Sequence, residues 1–188
     1  CMTVKRVIVG DESDEALWRR IAIHTPEEVF GFFGSYHFLS NFFPVEIPYQ
    51  NAVFPSAEHA YQAMKFIPNA WHHFLSDAPE HAKYLAHCES MVPLSRFSEE
   101  EWQDRKLQFM KDIVGVKFAL LGDRVFGDDG PELQKLLLST DNKLLLEGNW
   151  WNDTFWGVCI NDAGERIGQN HLGRILMETR EALRARVR

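Results

Sequence analysis

Between Val45 and Phe54 apolar and polar positions alternate about a Gln50-Asn51 pair, with Val45-Glu46-Ile47-Pro48-Tyr49 leading in and Ala52-Val53-Phe54 leading out. That pattern predicts a β-hairpin. Pro48 has no N–H to offer a ladder, so its strand belongs at an edge or in an irregular pairing. Downstream the apolar spacing becomes helical. Ser56, after Pro55, suits the cap of a helix running to about Phe66. Asn69 suits the cap of another short helix, and Ala78 to His87 reads as a third. Ser98-Glu99-Glu100-Glu101 is a capping box opening the longest helix, through Trp102, Lys106, Phe109, Met110 and Ile113 to about Leu120, weakened at Gly115. Pro131 to Ser139 reads as a helix with proline in its first turn. A last helix runs from about Gln169 to Ala185, its arginines gathered at the C-terminal end where they favour the dipole. Lys143 to Leu146 fits a strand or the end of a helical hairpin, and Gly148 to Gly168 reads as loop. Upstream, Thr3 to Val9 alternates like an edge strand and Asp14 to Ala22 reads as a short helix. These belong to an N-terminal extension, 1–28, ahead of a main body over 29–188. The predicted fold is a helix-rich α+β single domain with a small antiparallel strand element.

Composition narrows this picture little until charge and aromatics are considered. Hydrophobic residues at 45% and charged ones at 25% are ordinary for a globular chain, and no apolar run approaches bilayer-spanning length. Cys1 to Gly10 lacks the apolar core and cleavage site of a secretory signal. Cys1, Cys88 and Cys159 form no CxxC pair, which suits a reducing cytoplasm. A net charge of −7 argues against generic coating of DNA, whose affinity comes from neutralised phosphates. A local basic pocket remains compatible with it. The 14 phenylalanines and 6 tryptophans can build a core or supply flat faces for stacking bases.

Four segments have chemistry in them. In Ser56 to Phe66, Glu58, Gln62 and Lys65 fall on one narrow stripe at about 100° per residue. A carboxylate, an amide and an ammonium make a polar pocket wall, though the same stripe also fits a capped surface helix. Ser40-Asn41-Phe42, set between large apolar residues, could hold phosphate or ribose hydroxyls, or could be a plain turn. Gly148 to Gly157 holds Trp150, Trp151 and Trp156 among Asn and Asp, either an aromatic slot for a base or a plug pinning the loop. Gly168 to Met177 brings two glycines to a helix start, where a backbone can approach an anionic ligand or another helix. There is no Walker A sequence, no GxGxxG after a strand and no HExxH, and the eight histidines show no metal spacing. No metal and no cofactor are expected.

In order along the chain, Leu39-Ser40-Asn41-Phe42, Pro55 to His59, Gln62 to Phe66, Trp102 with Lys106 and Met110, Lys117-Phe118, Asp153 to Gly157 and Gly168 to Arg180 resemble the NADAR family, also called the YbiA-like superfamily. The resemblance spans about 29–183. It implies N-glycosidase activity on ribose attached to a nitrogen. Some members resemble hydrolases of early riboflavin-pathway intermediates, with phosphoribose on an aminopyrimidine. Others remove ADP-ribose from guanine bases in nucleic acid. Carried over from the family are Glu58, Lys65, Asn41, Trp102, Asp153, Trp156 and Asn170. Where some relatives have an acidic residue after the Trp-Gly pair this chain has Val158, leaving Asp153 as that loop's carboxylate.

The expected machinery is therefore Glu58, Lys65 and Asp153 for catalysis, with Ser40, Asn41, Phe42, Gln62, Trp102, Trp156, Gly168 and Asn170 binding a ribosyl-nucleotide or ADP-ribosyl substrate. Cleaving a ribosyl C–N bond needs help for the leaving nitrogen and stabilisation of positive charge at the anomeric carbon. One route has Glu58 activating water while Asp153 stabilises the cation. Another has a desolvated, neutral Lys65 attacking the opened sugar to form a Schiff base. Two other classes remain open. A non-catalytic ADP-ribose or NAD sensor would keep the aromatic slot, and a partner-binding protein would leave the Glu58 stripe exposed.

Overall fold

The structure, a computed structural model, describes residues 23–75, 78–121 and 129–187. The strand and helix expected over Thr3 to Val9 and Asp14 to Ala22 lie outside these. In chain order the elements are β1 (Ile23–His24), β2 (Glu28–Phe30), β3 (Pro44–Tyr49), β4 (Ala52–Ser56), α1 (Ala57–Ala63), α2 (Pro79–Leu85), α3 (Glu99–Lys117), α4 (Asp129–Ser139), β5 (Leu144–Leu146), β6 (Cys159–Ile160), β7 (Arg166–Ile167) and α5 (His171–Val187). Short 3₁₀ segments occupy Gly34–Leu39, Pro68–Phe74 and Glu89–Leu94. This is a helix-rich α+β domain with small sheets.

Strands β3 and β4 form the expected hairpin, with Ile47 opposite Phe54 and Tyr49 opposite Ala52. Gln50 and Asn51 both take positive φ, 48° and 67°, the twist a two-residue turn needs to match its strands. The stretch 143–146 resolves as strand β5, and it pairs in parallel with β2, Glu28 to Leu144 and Phe30 to Leu146. With β1 antiparallel on β2's other side, the sheet is mixed rather than wholly antiparallel. Inside the expected 148–168 loop, β6 and β7 form a further antiparallel pair.

Local chemistry sets the helix ends. Ser56 caps α1, accepting from the His59 N–H at 3.3 Å. The helix stops at Ala63, and the chain passes through a turn at Met64 and Lys65 before Pro68 opens the next segment. The chain then runs extended past Phe66, which bridges to Ser95, while the Arg96 N–H donates to the Lys65 carbonyl at 2.8 Å. Asn69 lies within the next 3₁₀ segment rather than capping a helix, since that segment starts at Pro68 with no side-chain cap. The capping box of α3 forms in full: Ser98 N–H donates to Glu101 Oε2 at 2.9 Å and Glu101 N–H to Ser98 Oγ at 3.2 Å. That helix ends at Lys117, short of Leu120, because Ala119 turns the chain at a φ of 53°.

All seven residues of α1 are buried. Phe32, Phe54, Phe74, Met64, Met110, Ile113 and Phe118 belong to the core cluster around it. A central helix holding Glu58, His59 and Gln62 cannot leave those groups unpaired without a free-energy cost. The exception is the wall where they meet a cavity.

Candidate active site

The first wall of that cavity is α1 itself. Gln62 donates to Glu58 Oε1 at 2.7 Å, the i,i+4 contact that their spacing dictates. Lys65, just past the helix end, lies 5.7 Å from the Tyr61 ring centroid and 5.6 Å from that of Trp102. Burial lowers its affinity for a proton, an effect partly opposed by Glu58 and Glu99 and reinforced by Lys83 and Lys106. The stripe thus faces an enclosed site, with Glu58 only 7% exposed and Gln62 3%.

The loop over 40–42 forms the second wall. The Glu58 N–H donates to the Asn41 carbonyl at 3.0 Å, tying the loop to the first turn of α1. Ser40 Oγ accepts from the Phe42 N–H at 3.1 Å, and the Ser40 carbonyl accepts from buried Lys117 at 2.6 Å. Asn41 turns its amide nitrogen toward Met110 Sδ, 3.4 Å away.

The third wall comes from the segment after β5. Asp153 Oδ1 accepts from the N–H groups of Phe155 and Trp156, at 3.2 and 2.8 Å. Trp156 stands edge-on to Tyr61, with centroids 5.4 Å apart. Together the three walls enclose about 210 Å³, lined by Ser40, Asn41, Phe42, Glu58, Tyr61, Gln62, Lys65, Asp153 and Trp156, among others. Burial, with Glu58 nearby, pushes the Tyr61 hydroxyl up, so it stays neutral at ordinary pH.

Four buried side-chain N or O atoms among the described residues lack a hydrogen-bond partner, and three of them belong to residues lining this cavity. These are Asn41 Oδ1, Gln62 Oε1 and Glu147 Oε2. Buried polar groups are nearly always paired, so three orphaned oxygens around one space mark a place where a hydrogen-bonding ligand belongs. A wider, open depression of about 610 Å³ over the hairpin tip, lined by Gln50, Trp71, His72 and Leu75 among others, has no carboxylate, lysine or arginine in its wall. The carboxylates and lysines line the smaller cavity.

Three residues singled out from the sequence are absent from the cavity lining. Trp102 is buried among Phe97, Phe109 and Tyr61, and supports Lys65 from behind. Gly168, at a φ of 141°, lets the backbone lie against the Gly157 carbonyl, where any Cβ would collide. Asn170 turns its amide to the main chain: Oδ1 accepts from the Glu147 N–H at 3.0 Å and Nδ2 donates to the Leu145 carbonyl at 2.9 Å.

Conversely, Tyr61, Glu147, Lys83, His87, Met110 and Leu172 line the cavity although the sequence assigns them no part in a site, and Trp151 joins Trp156 there as the aromatic-slot reading expects. Glu147 follows three leucines and reads as the end of an apolar strand; its one signal is a carboxylate set directly before the tryptophan-rich loop. Lys83 and His87, within and just after α2, line the rim, with Lys83 5.6 Å from the Trp151 ring centroid. Burial and the Asp153 charge push the Glu147 carboxyl up to about 8, while burial pushes Lys117 down to about 7. Among the described residues no three His, Cys, Asp or Glu side chains gather as a metal site.

Residues 23–184 match the NADAR domain. The chain belongs to the NADAR family. An N-glycosidase of Nostoc punctiforme is 33% identical to this NADAR chain over 154 residues, covering 79% of it and 86% of the relative. A riboflavin biosynthesis protein of Vibrio vulnificus is 32% identical over 170 residues, covering 87% of the NADAR chain but 38% of that longer protein. The NMR structure of the E. coli protein YbiA superposes with a TM-score of 0.64 at 27% identity, covering 90% of this chain and 92% of the other. Among the described residues no helix of the NADAR domain is long and apolar enough to cross a membrane.

Proposed function

We propose that this chain is an N-glycosidase that hydrolyses the bond between a phosphorylated ribose and a base or amine nitrogen. The observation that carries this reading is the convergence of the orphaned oxygens of Asn41, Gln62 and Glu147 on one cavity beside the desolvated amine of Lys65. Acceptor oxygens call for donors, and a ribose offers hydroxyls in that density. A space of about 210 Å³ is smaller than a typical drug-sized pocket. It suits the sugar, with the flat heterocycle against Trp156 or Trp151 and the phosphate toward Lys83 and His87 at the rim. Membership of a family whose relatives include a named N-glycosidase supports the reaction class.

The depressed proton affinity of Lys65 favours the imine route. The ribosylamine ring opens to an iminium at C1′, the Lys65 amine adds there, and the base departs as its amine. Water activated by Glu58 then hydrolyses the Lys65 imine and the sugar recloses. Asp153, half-buried on the opposite wall, stabilises the positive charge that develops at C1′. The two described cysteines, Cys88 and Cys159, are free, which supports a reducing compartment such as the cytoplasm.

Two substrates are offered in parallel to wild type and Glu58→Ala, with products separated by chromatography: an ADP-ribosylated guanine oligonucleotide and a phosphoribosylamino-pyrimidine. Glu58-dependent release of ADP-ribose from the first assigns the chain to nucleic-acid repair of that modification. Release of ribose 5-phosphate from the second alone assigns it to riboflavin intermediates, in keeping with the name of the Vibrio relative. Tight ADP-ribose binding with neither product would overturn the enzyme reading in favour of a sensor.

A further inference from the structure

Glu147 stands on an unusually fixed piece of backbone. Its N–H donates to Asn170 Oδ1 at 3.0 Å, and its carbonyl accepts from the Val158 N–H at 2.8 Å. Both contacts come from segments after the tryptophan-rich loop, and the Asn170 amide also donates to the Leu145 carbonyl of β5, so the chain at Glu147 is tied to residues just before α5. The residue lines the cavity, yet its Oε2 is shut off from solvent and has no hydrogen-bond partner. The Lys117 ammonium nearby is already committed, donating to the Ser40 carbonyl. The charged groups that act on Glu147 are Glu58 from α1, Lys83 from α2, Lys117 from α3 and Asp153 from the loop. Two carboxylates and a dry surrounding favour the proton-bearing form, two cations oppose it, and burial is the largest influence. A carboxyl kept neutral beside others that ionise is how sites with several carboxylates divide their roles.

We propose that Glu147 is the general acid of this site, giving its proton to the nitrogen that leaves C1′. This rests on the N-glycosidase reading above and adds the group that reading lacks. As the C1′–N bond breaks, its electron pair stays with nitrogen and takes the proton from the Glu147 carboxyl, which becomes a carboxylate. Water supplies the hydroxyl of the sugar product, and the proton it releases goes to Glu58. Passage of that proton back to Glu147 restores the starting state. Water is consumed, and the products are the free sugar and the neutral amine.

Glu147→Gln in the full chain tests this, because the isosteric amide keeps the backbone contacts and cannot donate an acidic proton. On whichever of the two substrates wild type turns over, kcat falls about 10²- to 10³-fold with KM within about threefold. The alkaline limb of the wild-type kcat profile disappears in the variant. Infrared difference spectra of the ligand-free protein at pH 7 show the carbonyl stretch of a protonated carboxyl in wild type and not in Glu147→Gln. The proposal is overturned by turnover of the variant within tenfold of wild type, by an alkaline limb that persists, or by a spectrum with no protonated carboxyl assignable to Glu147. Should wild type release no product from either substrate, the glycosidase reading falls and this role falls with it. The infrared band, which needs no substrate, separates that failure from a Glu147 that is simply ionised.

Discussion

Asn41 and Lys65 make opposite demands on the site. The Asn41 amide holds an acceptor oxygen in a dry place without a partner, a situation that costs about 1–3 kcal/mol. Replacing it with leucine relieves that cost while removing the contact to the sugar that the proposed function requires. Asn41→Leu is therefore expected to melt no lower than wild type, yet to lose about tenfold in kcat/KM, read by thermal scans beside steady-state kinetics. In the proposed imine route Lys65 has to be neutral part of the time to attack carbon, and burial lowers its affinity for a proton in that direction. Lys65→Arg keeps a cation over Tyr61 and Trp102 but has no amine to form an imine. Borohydride added during turnover should trap the sugar on wild type and not on the arginine variant, whose kcat falls at least about 10²-fold. A fully active wild type with no trapped adduct would return the reaction to direct attack by Glu58-activated water. The spacing of Glu58, Gln62 and Lys65 could be read from the chain because a helix turns by a known angle, and that is local information. Glu147 could not, because what raises its carboxyl is burial against segments distant in the chain, with Asp153 and Glu58 adding to it, none of them near it in a helical or strand period.

At the scale of elements, legibility followed the range of the cause. The hairpin turn and the α3 capping box are short-range, and both appear where the chain announces them. Ser98→Ala removes one side of that box, and about 1 kcal/mol of stability should go with it, measured by denaturant titration. The parallel pairing of β2 with β5 has no local signature, since each strand is three residues long and neither shows alternation. The family resemblance implies a ligand contact for Asn170, and nothing local in the sequence distinguishes that role from a structural one. Its amide bonds the backbone of Leu145 and of Glu147. Gly173 continues this bracing: a Cβ there would strike the Leu145 carbonyl and the Asn170 amide. Gly173→Ala is expected to cost about 1–3 kcal/mol through that overpacking and to lower kcat as well, because the displaced strand leads directly into Glu147. Unchanged kcat in a destabilised variant would uncouple the brace from the chemistry.

For the whole molecule, half-buried Glu147 and buried Lys117 shape how stability varies with pH. A carboxyl whose folded value is raised, from 4.5 to about 8, gives stability that is whole below 4.5 and is lost as pH rises through about 8. A lysine lowered from 10.5 to about 7 does the reverse: its contribution is whole above 10.5 and is lost as pH falls through about 7. The two losses overlap between about 7 and 8, where these groups leave the fold least stable. Accordingly, the gain in melting temperature of Glu147→Gln over wild type should grow from pH 4.5 to about 8 and then level off. Its upper bound is about 5 kcal/mol, reckoned from the shift in proton affinity. A flat difference curve would mean that Glu147 ionises in the folded protein as easily as in water.

The pairing of Glu28 with Leu144 and of Phe30 with Leu146 also sets an order in time. On a ribosome, β2 emerges long before the strand it must lie beside, so its apolar edge waits through the synthesis of everything between. The hairpin and α1 can settle early, with Glu58 and Lys65 already in their stripe. The carboxyl that faces them arrives only when β5 and then Asn170 have left the exit tunnel. Slowing translation between 31 and 143 therefore lengthens the interval in which a half-built sheet is open to chaperones or to the same strand of another nascent chain.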